Sequence, residues 1–285
     1  MLQPTDEQLA TLTRLERTAF RIGDAFTRHP VAVAKVNDAI MAFMIWSCGG
    51  RRLRVHGLDH LAGFGAHDSL LVVANHRSFF DFYIIAAVLY WRTTLPRRLF
   101  FPVRSTFFYD HPIGPAVNIA MSGMRMFPPI MRERERAGFN LFSVARCVAE
   151  LEVPGTIMGL HPEGTRNKGD DPYSFLPAQS GVGKIALEAT SAHVVPVFVH
   201  GMTSSLATEF KRNWREPARD HMIDVMFGKE IDIADLRAST ARAAALKRAS
   251  NRCLDGIKAL AEEHRAGVDA PPARLRNIFA RQSVV

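Results

Sequence analysis

The heptapeptide "NHRSFFD", Asn75 to Asp81, follows the apolar run "LLVVA" and sets an imidazole, a guanidinium and a carboxylate side by side. Histidine is the side chain best able to accept a proton near neutral pH, with an ordinary pKa of about 6.5. A carboxylate bonded to its other ring nitrogen fixes the tautomer and stabilises the imidazolium that forms. An ideal helix turns about 100° per residue, so positions i and i+5 do not share a face. For His76 and Asp81 to cooperate, the histidine must sit in a loop and the aspartate in the first turns of the helix that follows. An isolated H-x4-D reads more simply as a satisfied loop histidine and an aspartate drawn to a helix N-terminus.

The pair is not isolated. "HPEGTRN", His161 to Asn167, lies after another apolar run. Pro162 and Gly164 permit a tight turn there. Glu163 and Arg166 bring opposite charges into it, and an arginine at a strand exit offers a planar fork for a phosphate. The structural alternative is a Glu–Arg ion pair.

These loops need a frame. Short apolar runs, "LRVHG", "LLVVAN", "LFFPV", "TIMGLH", "VVPVFVHG" and "HMIDVMFG", read as strands. They alternate with expected helices over Phe79 to Tyr90, Pro115 to Met124, Gly138 to Leu151 and Val182 to Thr190. Buried strands interleaved with helices predict an α/β fold with a mostly parallel sheet flanked by helices. Such sheets carry their active residues in loops at the carboxyl ends of strands, where both motifs lie. Residues 51–228 form the expected α/β domain. Residues 1–50 form a helical pair: Leu9, Leu12, Leu15, Ala19, Ile22 and Phe26 recur at helical spacing up to Pro30, and a more apolar helix runs on to Trp46. Residues 229–285 form an Ala-rich amphipathic helix, marked by Leu246, Ala249, Cys253, Ile257 and Leu260, and a tail.

A hydrophobic fraction of 47% is ample for one large core, and a net charge of +8 suits nucleic acid, an anionic membrane or phosphorylated substrates. Three scattered cysteines form no metal or disulfide pattern and fit a reducing compartment. The run "AIMAFMIWSC" reaches only roughly 15 Å as a helix against a hydrocarbon core of about 30 Å, so it does not span alone. With Arg51, Arg52 and Arg54 following, it reads as an interfacial helix with arginines at the headgroups, or as a helix packed on the main domain. "SGVGK" lacks the Walker pattern, with Ala178 and Ile185 where glycine and a hydroxyl belong. No zinc spacing or aromatic RNA signature supports nucleic acid as partner. There is no G-x-S-x-G elbow either.

Together the two loops resemble the glycerolipid acyltransferase family, whose first motif, N-H-x-S-x-x-D, is matched without departure. The third, F-P-E-G-T-R-S, is matched with His161 for the aromatic and Asn167 for the serine, and "VVPVFVHG" corresponds to the last block. The second motif departs: "MFPPIMRERER" lacks its aspartate, and Arg132, Arg134 and Arg136 compete for the place of its arginine. Arg104 stands where the family commonly has lysine. The resemblance implies an enzyme in which His76, aided by Asp81, deprotonates an acceptor hydroxyl that attacks an acyl thioester on coenzyme A or acyl carrier protein. No acyl-enzyme, metal or cofactor is implied. Glu163, Gly164, Thr165 and Arg166, with Arg104 and Arg132, would bind substrate. The acceptor expected is a lysophospholipid, foremost 1-acyl-sn-glycerol-3-phosphate, at the cytoplasmic face of the cell membrane. The altered second motif leaves a different lysolipid headgroup open. A basic membrane- or nucleic-acid-binding protein without catalysis is the alternative of another class.

Overall fold

The computed structural model describes residues 2–28, 31–95, 98–131 and 133–267, without the side chains of residues 31–36 and 134. The chain begins with helices α1 (Asp6–Ala10), α2 (Arg14–Arg28) and α3 (Val31–Gly49). Strands β1 (Leu53–His56) and β2 (Ser69–Ala74) then lead into α4 (Asp81–Arg92). Next come β3 (Arg98–Phe100), β4 (Val103–Arg104), α5 (Gly114–Ser122), β5 (Pro129–Ile130) and α6 (Ala137–Leu151). The rest is β6 (Thr156–Leu160), α7 (Ser180–Glu188), β7 (Ala192–His200), α8 (Leu206–Arg215), β8 (Ile223–Phe227), α9 (Ala234–Arg237) and α10 (Arg242–Arg265).

Six strands form one sheet in the order β1-β8-β7-β2-β6-β3. Every pairing is parallel except β7 with β8. The period-two alternation of a strand divides the core between two faces. Leu70, Val72 and Ala74 of β2 pack with Val195, Val197 and Val199 of β7 beneath Ile84, Ile85 and Val88 of α4 and Ile45 of α3. Leu71 and Val73 point the other way, to Cys147 of α6, Ile185 of α7 and Ala249, Cys253 and Ile257 of α10. Gly159 of β6 is where α4 comes closest, since a Cβ there would lie 1.8 Å from the Phe82 ring. The sheet thus runs between two helical layers, with β2 buried on both sides at its centre.

Three expectations need correction. The periodic stretch from Leu9 to Phe26 forms two helices. Thr13 and Glu16 make a reciprocal cap, Thr13 N–H to Glu16 Oε2 at 2.8 Å and Glu16 N–H to Thr13 Oγ1 at 3.3 Å, which starts the second one afresh. "LFFPV" is not one strand: it divides at Pro102, which has no N–H to donate, and β4 pairs with β5 in a separate ribbon. Finally, Arg52 and Arg54 do not face headgroups. The Arg52 side chain is wholly buried and ion-paired with the equally buried Glu209 of α8, while Arg54 grips both oxygens of Asp224 at 2.7 Å. Entry into β1 at Leu53 turns both guanidiniums inward, where carboxylates from β8 and α8 meet them. Helix α8 itself had no counterpart in the sequence reading. Among the described residues, no helix is long and apolar enough to cross a membrane.

Arg52 also donates to the carbonyls of Cys48 at 2.5 Å and His221 at 2.8 Å, so it ties α3 to two distant segments. Breaking one partner of such a pair strands a buried charge. Glu209→Ala should therefore destabilise the protein by about 3–5 kcal/mol in urea unfolding, and the double variant Arg52→Met with Glu209→Leu should recover most of the loss.

Candidate active site

Strand β2 ends at Ala74, and the next residue continues the sheet by other means. The Asn75 carboxamide donates to the Val199 carbonyl and accepts from the Val199 N–H, both at 2.8 Å, adding a side-chain rung between β2 and β7. His76 therefore leaves the sheet from a fixed point. Asp81 opens α4, and its Oδ2 accepts the N–H groups of Arg77 and Ser78, each at 2.7 Å. The same oxygen lies 3.2 Å from His76 Nδ1. With Nδ1–H donating to that carboxylate, the lone pair belongs to Nε2. Ser78 Oγ donates to the Thr203 carbonyl at 2.7 Å and anchors this loop to the one after β7.

The loop after β6 encloses His76 from the other side. Glu163 is buried, and its two oxygens accept the N–H of His76 at 3.0 Å and of Leu176 at 2.8 Å. The Asn167 N–H donates to the His76 carbonyl at 2.7 Å. The His161 ring lies flat on that of His76, with centroids 3.9 Å apart and planes inclined by 4°. Gly164 closes the turn between them at φ 64°, a left-handed conformation that glycine adopts without steric cost.

Burial is the main influence on ionisation here. It lowers the His76 pKa to about 4, with help from the positive charges of Arg166 and Arg104. It lowers His161 to about 3, and His76 adds to that fall. It raises Asp81 to about 7, against the pull of His161 and of the Ser78 and Arg77 amides. Both imidazoles are thus uncharged at neutral pH, the state in which a histidine can take a proton. The three cysteines are buried, and desolvation raises each thiol pKa, that of Cys253 to about 12. None is poised as a nucleophile.

The structure brings His76 and Asp81 together and sets Arg104 and Arg166 close enough to act on the imidazole. Thr165 is partly exposed and Arg166 exposed on the same turn. Glu163 is placed differently from the substrate-binding role expected of it. Both its oxygens are taken by backbone amides, so it supports His76 instead of facing a ligand. Arg136 pairs with Glu16 and Glu133, towards α2. Arg132 lies outside the described residues, as does the side chain of Arg134. The sequence reading missed the tasks of Asn75, Ser78, His161 and Asn167, although all four lie within the two quoted motifs. It also missed the cluster around Asp224, where Arg54, His56 and His264 hydrogen-bond the carboxylate beside His200. Burial opposes ionisation of Asp224, but these hydrogen bonds win and hold its pKa well below the usual range. Arg54 already occupies both oxygens, which makes the cluster an internal clasp joining β1, β8 and α10.

The fold finds its counterpart among acyltransferases. A family model described as Acyltransferase matches residues 52–200, over half of the chain, and the chain belongs to that family. The architecture is similar to that of the 1-acyl-sn-glycerophosphate (LPA) acyltransferase PlsC from Thermotoga maritima, with a TM-score of 0.52 and 16% identity over 83% of this chain and 81% of that one. Among curated proteins none matches in sequence. The protein is an acyltransferase, and the expected α/β architecture with a mostly parallel sheet is the one observed.

Linkage gives the site a pH signature. An unfolded histidine titrates near 6.5, whereas folded His76 is held near 4. Between those values only the unfolded chain binds the proton, so this group makes stability fall as pH drops from 6.5 towards 4. Asp81, raised in the folded state, acts in the opposite sense, so His76 is isolated by comparison with a variant. On going from pH 7 to pH 4.5, His76→Gln should lose less stability than wild type by roughly 2 kcal/mol in urea midpoints measured at both pH values.

Proposed function

We propose that the protein transfers a fatty acyl group from an acyl thioester of coenzyme A or acyl carrier protein to the hydroxyl of a lysophospholipid, most simply 1-acyl-sn-glycerol-3-phosphate, giving phosphatidic acid. The observation that carries this reading is the His76–Asp81 pair at a sheet's carboxyl edge with Arg104 and Arg166 beside it. His76 Nε2 takes the hydroxyl proton as the oxygen attacks the thioester carbonyl. The tetrahedral intermediate collapses, the carbon–sulfur bond breaks, and the proton returns from Nε2 to the departing thiolate. Asp81 holds the imidazole in the required tautomer throughout. The two arginines suit the acceptor's phosphate. No step calls for a metal or cofactor. A cavity between α3, α4 and α5, lined by Met41, Tyr83, Ala87, Leu89, Phe101 and Met121 with the Asp38–Arg125 ion pair also at its wall, offers a mainly apolar surface to a hydrocarbon chain. Each buried methylene contributes about 0.8 kcal/mol, so cavity depth can select chain length. A different lysolipid headgroup is favoured as the second reading by the missing aspartate in "MFPPIMRERER".

The test is turnover. Purified protein is offered a panel of lysophospholipids with both thioester donors, and products are read by mass spectrometry. Acylated lysophosphatidate is expected from wild type, with ~10²–10⁴-fold slower formation by His76→Ala. Acylation of another headgroup alone would select the second reading. No acylation of any acceptor, or full activity of His76→Ala, would remove the mechanism.

The reading places the enzyme peripherally on the cytoplasmic face of the cell membrane. Ile40 and Phe43 of α3 and Phe210 and Trp214 of α8 are exposed. Trp46 packs edge-on against Trp214, so the two helices share one aromatic surface, and the Arg51 guanidinium lies 6.0 Å from the Trp214 ring centre. Such a surface suits the interface of an anionic bilayer. Phe43→Ser combined with Phe210→Ser should weaken sedimentation with anionic vesicles while sparing activity on substrate in detergent micelles. Unchanged vesicle binding would refute this attachment.

A further inference from the structure

His76 is held by one ring hydrogen bond, to Asp81, and χ2 of a histidine is a soft torsion without sharp staggered wells. A ring fixed at Nδ1 alone can still tilt and carry Nε2 off target. The structure supplies a second restraint. The His161 ring covers the face of His76 at 3.9 Å and is within 4° of parallel. It is itself fixed, since its Nδ1 lies 3.0 Å from the carbonyl of Ala74, two residues before His76. That carbonyl can only accept, so Nδ1 carries the hydrogen. The exit of β6 is thereby pinned to the exit of β2 by the same ring that covers the base.

We propose that His161 is the positioning residue of the base: its anchored ring face sets the plane of the His76 imidazole and keeps the Nδ1–H tautomer aimed at Asp81. The proposal rests on the reading of His76 as base. Two further observations agree with it. His161 is uncharged at neutral pH, because burial lowers its pKa to about 3, so it does not repel His76 when that ring takes up a proton. An uncharged π face next to an imidazolium attracts it, as in other cation–π contacts. In addition, Glu163 and Asn167 of the same loop hold the His76 N–H and carbonyl. One loop therefore controls backbone and ring together.

Two substitutions separate the face from the anchor. In His161→Phe the flat face remains and the hydrogen bond to Ala74 is lost. In His161→Asn the side-chain amide can replace Nδ1–H, and the face is lost. Nitrogen-15 spectra of the His76 ring, assigned by its absence in His76→Gln, report the tautomer in each protein. The Asn variant is expected to show a mixed His76 tautomer and a ~10–100-fold lower kcat with KM unchanged, as for a misplaced catalytic group. The Phe variant should keep the wild-type tautomer and most of the kcat. His161→Leu, similar in bulk but not planar, should behave as the Asn variant and serves if asparagine unsettles the loop. Wild-type spectra and rate in both non-planar variants would overturn the proposal. So would an impaired Phe variant beside an Asn variant of wild-type rate and spectrum, which would assign the effect to the Ala74 hydrogen bond alone. Should wild type transfer no acyl group, the proposed function fails, yet the spectra still decide whether His161 orients the ring.

Discussion

A single buried carboxylate holds the two chemical loops in register. Glu163 accepts the N–H of His76 with one oxygen and that of Leu176 with the other. Burying a carboxylate is costly unless its oxygens are bonded, and here the bonds come from the backbone of two irregular loops. The loop after β2 has no strand to hold it, and neither has the long connection from β6 to α7. The two are joined to each other through this shared group, with the Asn167 amide on the His76 carbonyl as a second tie. Arg166, on the second of these loops, is held near the imidazole by that closure.

Elsewhere the chain uses the same device with full ion pairs. Buried Arg146 of α6 meets Asp24 of α2 and Glu150 of its own helix, and Arg98 of β3 reaches Glu150 as well. Arg52 with Glu209 ties α3 to α8, and Asp224 gathers β1, β8 and the end of α10. Several of the arginines therefore serve as internal fastening between the helical margins and the sheet. Such pairs add less net stability than their number suggests, because both ions lose their hydration. They resist sliding strongly, however, since a one-residue shift would separate charges in an apolar layer.

The sheet was legible because its strands carry the period-two code on both faces. "LLVVA" and "VVPVFV" are apolar throughout, as a central parallel strand requires. The H-x4-D geometry was legible too, since helix pitch alone places His76 in a loop. What escaped the sequence reading depends on partners far along the chain. The burial of Arg52 requires Glu209, 157 residues away, and nothing near "GGRRLR" signals it. Glu163 looks like a ligand-binding charge until its two amide donors are seen. The stack of His161 on His76 arises where two strand ends converge, which spacing cannot disclose. The break between α1 and α2 was written in the sequence as T-x-x-E, but the hydrophobic period runs through it and masks it.

The arginines beside His76 have a consequence for the competing nucleophile, water. Burial, together with their charge, leaves the imidazole a weak base. A thioester arriving alone would meet a histidine ill-suited to deprotonating a water molecule. On the proposed reading, the acceptor's phosphate would neutralise those guanidiniums and lift their share of the pKa depression as the proper hydroxyl arrives. Arg104 and Arg166 would then act as an interlock against wasteful hydrolysis of the acyl donor, making the acceptor's own headgroup the condition for proton removal.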